Sequence, residues 1–347
     1  MKNDLPHNNE LFNHVVQIIE QARYKVAATV NLTMVLTYFE IGKMILEEEQ
    51  QGQARAAYGK HVLKDLAQRL TERFGKGFSV ENLDRMRFFY KTYAHSISSK
   101  VLTKFTLSWS HYLVLMRIDR PDERSFYEIE ATTNQWSLKE LKRQMNSALY
   151  ERLALSRDKD KIQELASTGQ MIETPFDLIK DPYILEFLGL RDFENYSESQ
   201  LETKIIEHLQ QFLLELGKGF TFVGRQVRFT FEEKHFKVDL VFYNRLLRCF
   251  VVIDLKLGEI NHQDLGQMQM YVNYYDRHVK LSDENPTIGI LLCQKKNDTI
   301  VELTLPKDAN IYASAYSLYL PDKQLLQQKL AEWIAEFDNL NNEEDAL

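Results

Sequence analysis

Two aspartates and a lysine lie inside an otherwise apolar stretch of this 347-residue sequence: Asp239 in FKVDLVFY, and Asp254 and Lys256 in CFVVIDLK. Val, Ile, Phe and Tyr dominate two runs, 236–243 and 247–255, separated by the polar Asn244-Arg245. That pattern predicts a buried β-hairpin rather than a helix. Side chains alternate along a strand, so Asp254 and Lys256 face one way and Leu255 the other. Burying two carboxylates and an ammonium in a sheet is costly unless they pair or hold a cation. Mg²⁺, or Mn²⁺ in its place, suits such a site because it accepts one or two carboxylates and keeps several waters. Asp239 and Asp254 on neighbouring strands would hold the ion, and Lys256 would orient an attacking water or stabilise its deprotonated form. Phosphodiester hydrolysis is one chemistry such a set could support, because it needs a nucleophilic water, neutralised phosphate oxygens and help for the leaving oxygen. The competing explanation is an Asp254–Lys256 salt bridge at a strand end, with Asp239 solvated at an edge.

An Asp on one strand followed by (D/E)-x-K on the next is the signature of the PD-(D/E)XK nucleases. The segment from Leu201 to Asp276 resembles the nuclease domain of the YhcG family more specifically, in LETKIIEHLQQFLLELGKGFTFVGRQ, VDLVFYNRLLRCFVVIDLKLG and LGQMQMYVNYYD. D-x-K alone is a weak motif, and the ordered set carries the resemblance. It implies a restriction-endonuclease-like mixed sheet with Asp239, Asp254 and Lys256 as catalytic residues. It also adds the Leu255 backbone carbonyl and Glu202 to the metal site. Glu202 has a rival reading, because Ser199-Gln-Leu-Glu202 has the form of a capping box that would bond its own helix start. Gln267 and Tyr271 fit a Q-x-x-x-Y element of RecB-like members. Their spacing puts both on one helical face, placed to reach DNA phosphates or to hold Lys256. Arg225 and Gln226 are expected to touch the nucleic-acid backbone or the site, with a surface or packing role at a strand end as the equal alternative. Two departures stand out: Val238 where the motif has Pro, and Asp254 where YhcG-like sequences more often have Glu.

The formal charge of −7 excludes a polycation that coats nucleic acid in bulk, so any such contact must be local or through metal. The two cysteines, Cys249 and Cys293, form no CxxC pair and read as small buried hydrophobes of a reducing compartment. MKNDLPHNN lacks a hydrophobic signal core, and no apolar run approaches the roughly 20 residues that span a bilayer. A cytoplasmic protein with no membrane partner is therefore expected.

The elements that must position this chemistry divide in two. Residues 9–155 read as a helical domain. Within it, Val62, Leu66, Leu70 and Phe74 line one helix face, Gly75-Lys76-Gly77 breaks it, and Ser79 caps a helix over 80–93. Helix, glycine turn and basic helix outline a helix-turn-helix, and the segment also resembles the YhcG N-terminal domain in YGKHVLKDLAQRL, FGKGFSVENLDRMRFFY, LSWSHYLVL and WSLKELKRQM. That resemblance makes Arg85, Arg87 and Lys91 candidate nucleic-acid contacts, against the plainer reading of a solvated basic face. His111, among aromatics, is expected to be structural. Residues 156–198 form a connector, 199–338 the nuclease-like domain and 339–347 an acidic tail. Within the nuclease-like domain the expected order is one helix over 201–216, three strands, a helix over 262–276, strands at 287–293 and 311–320, and a last helix over 322–337. Overall the chain is expected to be a Mg²⁺-dependent DNA endonuclease with a helical domain and an α+β or α/β mixed-sheet domain. The rivals are an inactive DNA-binding or scaffold protein of a restriction or mobile-element system, and an RNA nuclease. A homodimer would pair two active sites for cutting both strands.

Overall fold

A computed structural model of the chain describes residues 7–51, 56–94, 105–156, 162–190, 196–231, 233–306 and 308–332. The expected acidic tail at 339–347, and the last helix beyond 332, lie outside the described residues, as does most of the charged stretch 156–161. The chain divides into two compact units, 1–142 and 143–347.

The first unit is helical: α1 (His7–Gln51), α2 (Ala56–Phe74), α3 (Val80–Tyr93), α4 (Trp109–Leu115), α5 (Pro121–Thr133) and the start of α6 (Leu138–Asn146). Ser79 caps α3 as expected, its hydroxyl accepting from the Asn82 N–H. α1 crosses α3 so closely that a Cβ on Gly42 would stand 2.1 Å from the Met86 carbonyl oxygen. Only glycine permits that approach. His111 bonds Ser108 Oγ at 2.6 Å and the Trp136 carbonyl at 3.1 Å, a satisfied packing residue.

The second unit contains α7 (Leu149–Leu155), α8 (Ile162–Thr168), β1 (Tyr183–Ile184), α9 (Glu198–Glu207), α10 (Leu209–Leu216), β2 (Phe220–Phe231), β3 (Lys234–Asn244), β4 (Cys249–Glu259), α11 (His262–His278), β5 (Ile288–Lys295), α12 (Asp298–Thr304) and β6 (Ile311–Ser317). The strands form one mixed sheet in the order β1-β6-β5-β4-β3-β2. β2, β3 and β4 run antiparallel, and β4, β5, β6 and β1 parallel. Val251, Ile253 and Leu255 of β4 pack toward a core that holds Leu201, Ile205 and Phe212 of α9 and α10. Val252 packs on the opposite side with Leu265, Met268 and Tyr271 of α11. Helices therefore cover both faces, as alternation along the strands requires.

Three expectations are corrected. The stretch 156–198 is more than a connector, because Tyr183 and Ile184 pair with Tyr316 and Ser317 as the edge strand β1. The single helix expected over 201–216 breaks at His208, whose φ of −112° and ψ of 31° leave the helical region. The capping box is Ser197–Gln200, not Ser199–Glu202: Gln200 N–H bonds Ser197 Oγ at 3.2 Å and Ser197 N–H bonds Gln200 Oε1 at 2.8 Å. Glu202 is thereby released from capping its own helix.

Candidate active site

The site forms where two strands part. The β3–β4 ladder runs from Asn244 opposite Cys249 to Leu240 opposite Ile253 and ends there. The next residues on the two strands are Asp239 and Asp254. Val238 packs on the α11 side and Leu240 on the α9–α10 side, so regular alternation breaks at Asp239. Its carboxylate takes the place of a backbone acceptor: Oδ2 accepts the Leu255 N–H at 2.9 Å. Asp239 Oδ1 accepts from Gln226 Nε2 at 3.1 Å, and the same amide donates to Glu202 Oε2 at 2.5 Å. Glu202, Gln226 and Asp239 form a chain of polar contacts linking α9, β2 and β3.

Asp254 is 2 % exposed. Its Oδ2 lies 2.7 Å from Lys256 Nζ, as their common strand face predicts. The approach is an ion pair by distance, but among the described residues this oxygen has no directed hydrogen-bond donor. Lys256 also lies 4.0 Å from Glu198 Oε2.

The charges are unbalanced. Burial, and then the neighbouring Asp239, push the Asp254 carboxyl up to about 7 against the opposing Lys256. Burial also raises Glu202, reinforced by Asp239 and opposed by the Gln226 hydrogen bond and by Arg225 and Lys237. Burial would lower Lys256, but Asp254, Glu198 and Asp239 together hold its ammonium above its ordinary value. Asp254, Glu198 and Asp239 thus act on one amine, and of the acids gathered here Asp254 and Glu202 resist ionising. A cation would balance this donor set. Among the described residues no three His, Cys, Asp or Glu side chains converge as a ready-made cage. Asp239 and Asp254 alone suit Mg²⁺, which takes its remaining ligands from water and substrate.

Gln267 and Tyr271 do meet, Gln267 Nε2 donating to the Tyr271 hydroxyl. Tyr271 is only 1 % exposed, however, and donates to the Lys237 carbonyl at 2.7 Å. Burial and the charge of Asp254 push its hydroxyl up to about 12. It holds the β3 backbone two residues before Asp239, instead of a phosphate or Lys256. Leu255 contributes its N–H to Asp239. Arg225 is exposed, and its charge reaches Glu202. In the first unit, Arg85 pairs with Glu81 and Asn82, and Arg87 with Glu49 and Asp84. Lys91 is exposed.

The sequence offers Arg225 and Gln226 alike as touching the backbone or the site, and of the two it is Gln226 whose side chain bonds the acids of the site. Gln226 has a φ of +48°, and no residue type announces that for a glutamine in a strand.

Residues 176–331 match the family described as the YhcG PDDEXK nuclease domain, and residues 14–152 match the DUF1016 N-terminal domain. The protein YhcG of Escherichia coli (strain K12) is 38 % identical over 353 aligned positions, covering 92 % of this chain and 93 % of that one. Two solved structures resemble 38 % of this chain and 50 % of their own. One is a repair endonuclease from Pyrococcus abyssi, 19 % identical with a TM-score of 0.25. The other is an EndoMS–dsDNA2 complex, 16 % identical with a TM-score of 0.26. Scores this low leave the sheet and the family match as the grounds for the fold. On that near-complete relative and the two domain matches, the chain belongs to the YhcG family, with a helical DUF1016 N-terminal domain and a restriction-endonuclease-like PDDEXK nuclease domain.

Proposed function

We propose that this nuclease is a divalent-metal-dependent endonuclease acting on DNA, with Asp239, Asp254 and Lys256 as its catalytic set. The observation that supports it best is the Asp239–Asp254–Lys256 cluster at the parted end of the β3–β4 ladder, short of positive charge. Asp239 and Asp254 would hold Mg²⁺ or Mn²⁺, with the Leu255 carbonyl as a further ligand and Glu202 tied to them through the Gln226 amide. When bound, the ion neutralises phosphate charge and lowers the pKa of its water. Lys256 then keeps its proton and sets a positive charge beside the attacking oxygen, where negative charge develops. Gln267 and Tyr271 act as positioning residues, keeping β3 in register at Lys237 so that Asp239 stays opposite Asp254. Arg225 on β2, and Arg85, Arg87 and Lys91 on α3, serve as contacts to the nucleic-acid backbone. Since both α3 arginines already face carboxylates, Lys91 is expected to contribute the largest share there.

Supercoiled plasmid and single-stranded RNA, each with Mg²⁺ or EDTA, test the proposal. Plasmid should be cut with Mg²⁺ and left intact in EDTA. Lys256→Ala should slow cutting by about 100-fold or more while plasmid binding persists. Metal-independent cutting, or an unchanged rate in that variant, rejects the assignment. Cutting confined to RNA selects the RNA-nuclease reading.

A further inference from the structure

The β2–β3 hairpin carries charge out of keeping with the rest of the chain. Its segment RQVRFTFEEKHFK (225–237) holds four Lys and Arg against two Glu, in a protein of formal charge −7. Arg225, Arg228, Lys234, His235 and Lys237 are all exposed. β2 is an edge strand of the sheet among the described residues. One ribbon face, with Phe229 and Phe236, packs toward α11. Arg228 and Lys237 are directly cross-strand neighbours, and alternation sends them from the other face. Like charges directly opposite one another destabilise a strand pair. Among the described residues neither forms an ion pair. Opposed cations of this kind suit an anionic occupant.

The occupant's route is set by position. Lys237 stands two residues from Asp239, about 7 Å along the strand. Its carbonyl is held by the Tyr271 hydroxyl, which fixes the ribbon relative to the acidic cluster. The fields of Lys237 and Arg225 already reach Glu202. We infer that the outward face of the β2–β3 hairpin, centred on Arg228 and Lys237 and extended by Arg225, grips the phosphodiester backbone of DNA and leads the strand to Asp239 and Asp254. Where the strand is led rests on the nuclease reading; the grip itself does not.

Binding is therefore measured without metal. The full chain is titrated onto a fluorescently labelled DNA duplex in EDTA over a series of NaCl concentrations. Arg228→Gln and Lys237→Gln should each weaken binding several-fold and flatten the slope of log affinity against log salt by about 1. Arg248→Gln, at the turn beyond the opposite end of β3, should change neither. Relief of the cross-strand repulsion should leave each hairpin variant melting at or above the unsubstituted temperature in low salt. An unchanged slope in the hairpin variants, an equal loss in Arg248→Gln, no duplex affinity in the unsubstituted chain, or a lowered melting temperature overturns the inference. Flattened slopes with no cutting in Mg²⁺ keep the grip and remove the nuclease. Cutting with unaltered slopes does the reverse.

Discussion

At Gln226 a non-glycine residue is held at a φ of +48° while its amide joins Glu202 to Asp239. Such a conformation costs roughly 1–3 kcal/mol and persists only where the surroundings compel it. The amide restrains two acids that would otherwise repel each other, so it orients the site from one step behind it. Gln226→Ala and Gln226→Gly should both lower cleavage at limiting Mg²⁺ by about 10–100-fold, an effect that saturating Mg²⁺ partly restores. Of the two, the glycine variant should be the more stable by about 1 kcal/mol in urea unfolding, because only glycine takes this backbone without strain. Equal stability of the pair would mean the backbone is not strained there. The aspartates and the lysine were legible in the sequence because ionisable groups stand out in apolar strands. Gln226 was legible only as a residue touching backbone or site; its bridging role follows from a local backbone distortion that no composition encodes.

At the level of elements, α11 has to lie close against β5 for Tyr271 to reach Lys237. Gly289 makes this contact tight: a Cβ there would sit 2.7 Å from Met268 Sδ and 2.9 Å from Val272 Cγ2. Gly289→Val should therefore cost about 1–3 kcal/mol by overpacking. It should also lower cleavage beyond what a matched loss of stability explains, because α11 carries the hydroxyl that braces β3. Tyr271→Phe isolates the second effect, removing one hydrogen bond worth about 1 kcal/mol with little change in volume. Should Tyr271→Phe cut at the normal rate, the brace is dispensable and Gly289 matters only for packing. The four-residue spacing of Gln267 and Tyr271 was readable in advance, but not their target, which depends on how the helix crosses the sheet. The same limit explains the misplaced cap: SESQLE contains two overlapping S-x-x-(E/Q) frames, and only the chain path selects Ser197–Gln200. Two-residue β1 shows no alternation at all and is a strand solely because β6 offers it an edge.

Across the whole molecule, the division into a helical and a sheet unit followed from hydrophobic periodicity, whereas the charge buried in the second unit did not. Glu215 of α10 and Arg152 of α7 are both fully buried, 2.7 Å apart. Glu215 also accepts from Arg143 at 3.2 Å and from the Ile184 N–H of β1 at 2.9 Å, and its backbone carbonyl takes the Lys180 ammonium. Arg152 in turn donates to the Pro182 carbonyl at 2.9 Å. These bonds clamp α7, the β1 segment and α10 together, residues far apart in sequence whose pairing no local pattern reveals. Burial would raise the Glu215 carboxyl, but Arg152, Lys180 and Arg143 outweigh it and hold it down to about 2 from an ordinary 4.5. A depressed acid contributes stability above its unfolded value and loses it as pH falls through the folded one. The loss should thus fall between about pH 4.5 and 2 and amount to roughly 3 kcal/mol. Glu215→Gln removes the carboxylate that faces the fully buried Arg152 guanidinium and should cost about 3–5 kcal/mol at neutral pH. That variant should also lose much of the acid sensitivity in this window. Urea midpoints of both proteins across pH 2–6 check this, and parallel pH profiles would show that other carboxylates govern acid unfolding.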